Sequence, residues 1–329
     1  MRNAAGSLFG LAYGDALGKP TEFQDYPTII AAYGVSGPRE LTGNPALVTD
    51  DTQMALAVGE AILAAPAFTA RALEPELRRA FLAWAVSPDN NRAPGMTCLR
   101  ACAALEAGGP WQQATQTGSK GCGANMRVTP VGLVPGLTDD QRAGAAQLQA
   151  GLTHGHPTGL TSSELTAYGV RWLADGMAPG DLLGALRERC DSQRKVYHEE
   201  WLGDLWQQPG VGSPEEFIAR GWDETAAALD RVGAALAAGN FSGDPCLATG
   251  EGWIAEEALA TALYCYLISP EEPLAVLGRG AASSGDSDSI ACLAGAFAGA
   301  ALGMAAWPSG WETRIEYADR LNRLAGGWD

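Results

Sequence analysis

The segment Asp286-Ser287-Asp288-Ser289-Ile290-Ala291-Cys292-Leu293-Ala294-Gly295-Ala296-Phe297-Ala298-Gly299-Ala300-Ala301-Leu302-Gly303 decides the fold class. It opens with two carboxylates and two hydroxyls, then stays uncharged over the 18 residues from Ile290 to Trp307. The uncharged run is mostly Ala and Gly and directly follows the acids, so it reads as a buried helix rather than a membrane span. Gly295, Gly299 and Gly303 recur every four residues, a stripe that lets a neighbouring helix approach closely. The stripe is read as core packing. A helix this apolar should be central, which places its acidic start in semi-buried surroundings.

Outward from this segment, most of the chain repeats its apolar residues at helical period. Leu8, Leu11 and Ala12 predict one apolar face, ended over 14–20. Met54, Val58, Ile62 and Ala65 predict a second helix, and Leu77, Phe81, Trp84 and Ala85 a third that stops before Pro88. Further helices are expected over Ser162–Leu173, Asp181–Cys190, Pro214–Ala238 and Ala255–Ile268. Alternating Val, Ile and Thr runs are nearly absent. The expectation is one all-α domain over residues 1–329, with no repeat period and no interdomain linker. Long connections at 18–50, 87–97, 116–136, 151–161, 240–252 and 280–289 carry the charged and glycine-rich clusters. Loops of that length in a folded domain are commonly functional.

Composition excludes several classes. The 329 residues hold 22 basic against 38 acidic side chains, a net charge of −16. Non-specific nucleic-acid binding needs a Lys/Arg surface, and so does polybasic attachment to a membrane. Ten Trp and 47% hydrophobic residues exclude wholesale disorder. The seven cysteines form no C-x-x-C pair, and three histidines cannot complete a zinc finger with them. Reduced thiols and a cytoplasmic location are expected, because the N-terminal apolar run meets Asp15 too early for a signal peptide.

Thr49-Asp50-Asp51-Thr52 precedes an apolar helix, as does Asp286-Ser287-Asp288-Ser289. Either segment alone reads as an N-cap with acids suiting the helix dipole. Capping needs one oxygen, however, and each segment offers two carboxylates beside hydroxyls. Two unit charges 4 Å apart at an effective dielectric of 20 repel by about 4 kcal/mol. Four such carboxylates in one cleft require cations, and all-oxygen ligands suit Mg²⁺, Mn²⁺ or Ca²⁺. The expectation is a two-ion site drawing on both helix starts. Glu22 lies in an uncharged strip after Gly14-Asp15-Ala16-Leu17-Gly18 and is a candidate general base. Residues 118–127, Gly-Ser-Lys-Gly-Cys-Gly-Ala-Asn-Met-Arg, match neither Walker A nor G-x-G-x-x-G. They read either as an anion-binding backbone nest or as an ordinary flexible loop. In Thr153-His154-Gly155-His156-Pro157 the histidines suit a ligand hydrogen bond or a structural role better than a metal. His198 has no such context.

Taken in order, these segments resemble the ADP-ribosylglycohydrolase family. The resemblance rests on Gly14-Asp15-Ala16-Leu17-Gly18…Glu22, Thr49–Thr52, Gly121-x-Gly123-x-Asn125-Met126-Arg127 and Gly285-Asp286-Ser287-Asp288-Ser289-Ile290-Ala291. It spans about residues 3–305. It implies an all-α, orthogonal multi-helix domain with a central dinuclear cleft holding two Mg²⁺, Mn²⁺ also serving. Thr49, Asp50, Asp51, Asp286, Asp288 and Ser289 fall on the family's metal ligands, Ser289 standing where a Thr is usual. Glu22 matches the catalytic glutamate. Gly121, Gly123, Asn125 and Met126 match the loop that holds the diphosphate and distal ribose, and His154 a histidine beside the ligand. Asp89 falls where arginine-specific members place a further acidic residue.

The implied activity is hydrolysis of the bond between ADP-ribose and an acceptor, arginine-linked first, serine or nucleobase linkages being alternatives. Partners would be an ADP-ribosylated protein or a small ADP-ribosyl compound, and the protein a monomer. Two other readings compete: a non-catalytic, crystallin-like ADP-ribose binder, and a dinuclear nucleotide phosphohydrolase.

Overall fold

Two helices packed backbone to backbone organise the molecule. The computed structural model describes residues 2–329, which fold into helices without a single strand. The helix Asn3–Gly18 is buried from Ala4 onward, and the helix Ser287–Leu302 is buried from Ser287 to Ala300. A Cβ on Gly10 would stand 2.3 Å from the Gly295 carbonyl oxygen, and one on Gly14 would stand 2.0 Å from that of Ala291. Gly6 faces Gly299 and Gly18 faces Asp288 in the same way. The pairing is therefore antiparallel and glycine-to-backbone on both sides. Each helical Gly costs about 1 kcal/mol against Ala, and the contact it permits outweighs that cost. This is why Asn3–Gly18 runs straight through Gly14, where the sequence predicts an end.

That packing carries the end of the first helix to the start of the other. Thr21, in the turn beyond Gly18, lies 3.0 Å from the Ser287 hydroxyl and donates to the Ala281 carbonyl at 2.6 Å. Glu22 is thereby fixed beside Asp288.

The remaining helices surround this pair. Asp50–Ala64 and Ala70–Ala85 pack together, as do Asp139–Gly151, Pro157–Ala174 and Pro214–Ala238, and Ala255–Ile268 lies against Ser287–Leu302. Pro214–Ala238 and Ala255–Ile268 have the predicted limits. The Pro157–Ala174 helix begins five residues earlier than Ser162, because Pro157 suits the first helical turn and His156 accepts the Thr158 N–H at 3.2 Å. Short helices also interrupt the expected loops: Tyr26–Tyr33, capped by Asp25, Thr129–Leu133 and Cys246–Thr249. All seven cysteines are buried and unpaired. No described helix is long and apolar enough to cross a membrane.

Candidate active site

Capping does not occupy the acidic side chains. Thr49 caps the helix Asp50–Ala64, accepting the Asp51 N–H at 3.4 Å. Asp286 sits at the N-cap of Ser287–Leu302, yet its side chain makes no capping bond. Asp50 accepts the Gly95 N–H at 3.1 Å, and Asp51 Oδ2 is buried with no hydrogen-bond partner. The carboxylates are available to something else.

Behind them stands Asp15, fully buried, with both oxygens on the Thr49 N–H at 2.8 and 3.0 Å. It also takes the Thr52 N–H and the Thr52 hydroxyl. One residue of the first helix thus fixes the start of the acidic one. A second brace comes from Gly285, where a Cβ would stand 1.8 Å from the Glu251 carbonyl oxygen, the same oxygen that accepts the Asp286 N–H.

A cleft of about 410 Å³ gathers these elements. Glu22, Asp50, Asp51, Asp286, Asp288 and Ser289 line one part of it, and Gly121, Gly123, Met126 and His154 another. The two acidic segments, 235 positions apart (286 − 51), do meet. Thr49 is buried directly behind, its hydroxyl facing Asp288. Asp89 is not brought in. Its carboxylate accepts the Tyr317 hydroxyl at 2.8 Å and lines a separate hollow with Gln53 and Arg320. The 87–97 connection reaches the cleft through its later residues, Ala93 to Thr97, with Arg92 tied to Glu316. Asp89 is therefore not among the residues that line the cleft.

Burial and mutual repulsion push these acids upward together. Asp15 and Asp50 rise to about 7, chiefly through desolvation, with Asp288 adding repulsion. Asp51 and Asp286 lie well above the usual carboxylate range for the same two reasons. Glu22 is pushed up to about 9, by desolvation first and then by Asp288, Asp50 and Asp15. Glu22 and Asp286 both lie beside Asp288, which the Thr49 hydroxyl also faces, so the charges repel one another at close range. Among the described residues no three acidic, imidazole or thiol groups already converge on a point as a finished cage. The donor set itself fits a hard divalent cation. It is all oxygen, strongly self-repelling, and contains the partnerless Asp51 oxygen.

Four N–H groups of the glycine loop are engaged within the protein. The N–H groups of Cys122, Ala124, Asn125 and Met126 donate to the carbonyls of Trp253, Gly121, Cys122 and Cys122 respectively. The loop's glycines serve close approach. A Cβ on Gly121 would stand 3.2 Å from His154 Nε2, and one on Gly123 would stand 2.9 Å from Cys98 Sγ. Asn125 lies behind the loop, donating to the Ala255 carbonyl at 3.1 Å, with Oδ1 buried and partnerless. His154 is buried, and burial together with nearby Arg127 holds its ring well below the ordinary histidine range. His156 caps a helix, and His198 meets Asp140 at 2.9 Å.

Sequence reasoning missed two aromatic residues at the mouth. Phe23 and Trp253 both line the cleft and stack with ring centroids 5.4 Å apart and planes 16° from parallel. Phe23 is 70% exposed at a φ of +65°, a left-handed conformation that side chains seldom adopt and that no sequence pattern announces. Trp253 is held by its carbonyl on Cys122 and by Gly252, whose φ is +84°. The only sequence signal was an aromatic next to a glycine in a loop.

The ADP-ribosylglycohydrolase family model matches residues 1–328. The chain belongs to the ADP-ribosylglycohydrolase family. It is 25% identical over 319 residues to the ADP-ribosyl-[dinitrogen reductase] glycohydrolase of Rhodospirillum rubrum, covering 95% of this chain and 90% of that one. It is 27% identical to ADP-ribosylhydrolase ARH3 of Mus musculus, covering 97% and 89%. A solved ADP-ribosylglycohydrolase-related protein complex aligns over 99% of this chain and 96% of its own, with TM-score 0.69 and 22% identity. That likeness establishes the all-helical ADP-ribosylglycohydrolase fold. Membership places the chain among hydrolases of ADP-ribosyl linkages.

Proposed function

We propose that the protein is a divalent-metal-dependent hydrolase that releases free ADP-ribose from an acceptor. The observation that carries this reading is the meeting of Glu22 and Asp288 on one wall of a cleft whose other wall is His154 and the glycine loop. Thr49, Asp50, Asp51, Asp286, Asp288 and Ser289 would hold two Mg²⁺ or Mn²⁺, which supply charge stabilisation and orient ribose hydroxyls. Glu22, once ionised, accepts a proton from the water attacking the anomeric carbon, while positive charge develops on the sugar. Oxygen-rich walls on the Glu22 side stabilise that charge. His154 and the 121–126 loop position the ligand, and positioning is worth several kcal/mol. Phe23 and Trp253 offer flat apolar faces at the mouth for a planar group.

Arginine linkage rested on Asp89, which faces Tyr317 outside the cleft. The acceptor is therefore set by a panel of arginine-, serine- and nucleobase-linked ADP-ribose, on proteins and as small compounds. Chromatography of the products should show intact ADP-ribose. Release of AMP or phosphate would make the protein a phosphohydrolase, and binding without turnover a non-catalytic relative.

A further inference from the structure

Arg127 is fully buried, yet no carboxylate bonds to it. Its Nε donates to Gln149 Oε1 at 2.8 Å, its guanidinium lies 4.3 Å from the Phe81 ring centroid, and Nη2 donates to the Gln149 carbonyl at 2.6 Å. The same Nη2 donates to the Thr153 hydroxyl at 2.7 Å. That hydroxyl lies 2.8 Å from His154 Nδ1.

These distances fix where the protons go. A guanidinium only donates, so Thr153 must accept from Arg127, and its single hydrogen is left for one other partner. Cys98 Sγ, also beside the hydroxyl, is only a weak acceptor, and the Ala150 carbonyl is 3.4 Å away and already accepts the N–H groups of Thr153 and His154 at 3.1 and 2.9 Å. A good O–H donor bond is much shorter than 3.4 Å. The Thr153 hydrogen therefore points to His154 Nδ1, which must be unprotonated. In the neutral ring the proton then sits on Nε2. Nε2 has no protein partner among the described residues and faces the cleft across Gly121 and Gly123.

We infer that Arg127 and Thr153 are positioning residues that lock His154 as a hydrogen-bond donor to an acceptor oxygen of the ligand, such as a phosphate or ribose oxygen. The ligand's identity rests on the hydrolase reading; the locked ring does not. Locked in this way, His154 contributes recognition and has no share in base catalysis. The buried positive charge of Arg127 reinforces the lock by opposing imidazolium.

The test is long-range ¹⁵N–¹H correlation spectroscopy of the whole protein near neutral pH. Only three histidines are present, and His156 and His198 are assigned by substitution. The expected spectrum shows His154 protonated on Nε2 and unprotonated on Nδ1. An Nδ1-protonated or doubly protonated ring overturns the relay. Alongside it, ADP-ribose binding is measured in the presence of Mg²⁺. Thr153→Val should weaken it about 3- to 10-fold, the size of one lost hydrogen bond, and Thr153→Ser should restore it. A Thr153→Val variant that folds and binds like the unaltered protein refutes the positioning role. If the unaltered protein shows the expected tautomer and does not bind ADP-ribose, the hydrolase reading falls and the lock stands.

Discussion

The Thr52 hydroxyl donates to the Asp15 carboxylate at 2.5 Å, and the Thr52 N–H reaches the same oxygen at 3.0 Å. Through this contact the first helix dictates where Asp50 and Asp51 stand. Asp15→Ala would strand the Thr49 N–H, the Thr52 N–H and the Thr52 hydroxyl in a dry site. Each buried orphan costs about 1–3 kcal/mol, so chemical denaturation should show a loss of several kcal/mol. Asp15→Asn keeps one acceptor oxygen and removes a self-repelling acid, so it should lose distinctly less. Equal losses would mean that Asp15 acts only by filling space.

The antiparallel glycine contact gives a second expectation. Gly14→Ala drives a Cβ to 2.0 Å from the Ala291 carbonyl oxygen, and backbone cannot give way as a side chain can. Overpacking of this kind should cost about 3 kcal/mol and separate Glu22 from Asp288, so activity should fall as well. Gly184, within the helix Pro179–Gln193, has nothing within 4 Å of its Cβ direction. Gly184→Ala should stabilise by about 1 kcal/mol. Melting curves of the pair test whether space, rather than helix propensity, decides these glycines.

Charge in the cleft gives a pH dependence with a definite sign. Asp15 and Asp50 rise from 3.8 to about 7 on folding, so the folded protein binds more protons than the unfolded chain between those values. Their contribution is fully present below 3.8 and is lost as pH climbs through 7. In chelator, stability should therefore fall from about pH 4 to about pH 7. A divalent cation favours the deprotonated cluster, so the rise in Tm on adding Mg²⁺ should be larger at the higher pH. Activity should vanish in EDTA, return with Mg²⁺ or Mn²⁺, and return poorly with Zn²⁺. A Tm rise independent of pH would mean that the ion binds elsewhere.

Much of this was legible in the sequence because helix periodicity and glycine spacing are local. The stripe Gly295, Gly299, Gly303 announced a close helix contact, and its partners are the glycines of the first helix. The acidic segments announced themselves by excess, having more carboxylates than caps require. The rest depends on distance in space. Asp89 sits among loop residues that do reach the cleft, yet a turn sends its side chain to Tyr317. The 121–127 loop reads as either a nest or a flexible loop because glycine freedom is visible in sequence, whereas the carbonyls that occupy four of its N–H groups are not. Phe23 and Trp253 meet only because a left-handed residue follows Glu22 and Gly252 turns the opposing loop. Asp15 was inside a quoted motif, but its task is clear only beside Thr49 and Thr52.

Glu22 carries the central claim. Glu22→Gln keeps the shape and a carbonyl oxygen while removing the base, and it leaves the six proposed metal ligands intact. The decisive measurement is turnover of ADP-ribosylated substrate by this variant, with calorimetric ADP-ribose binding on the same sample in Mg²⁺. The account predicts that turnover falls by about 10²–10⁴, the usual worth of a general base, while ADP-ribose affinity is nearly unchanged. Normal ADP-ribose binding with turnover near that of the unaltered enzyme would contradict it, and Glu22 would then be a structural residue.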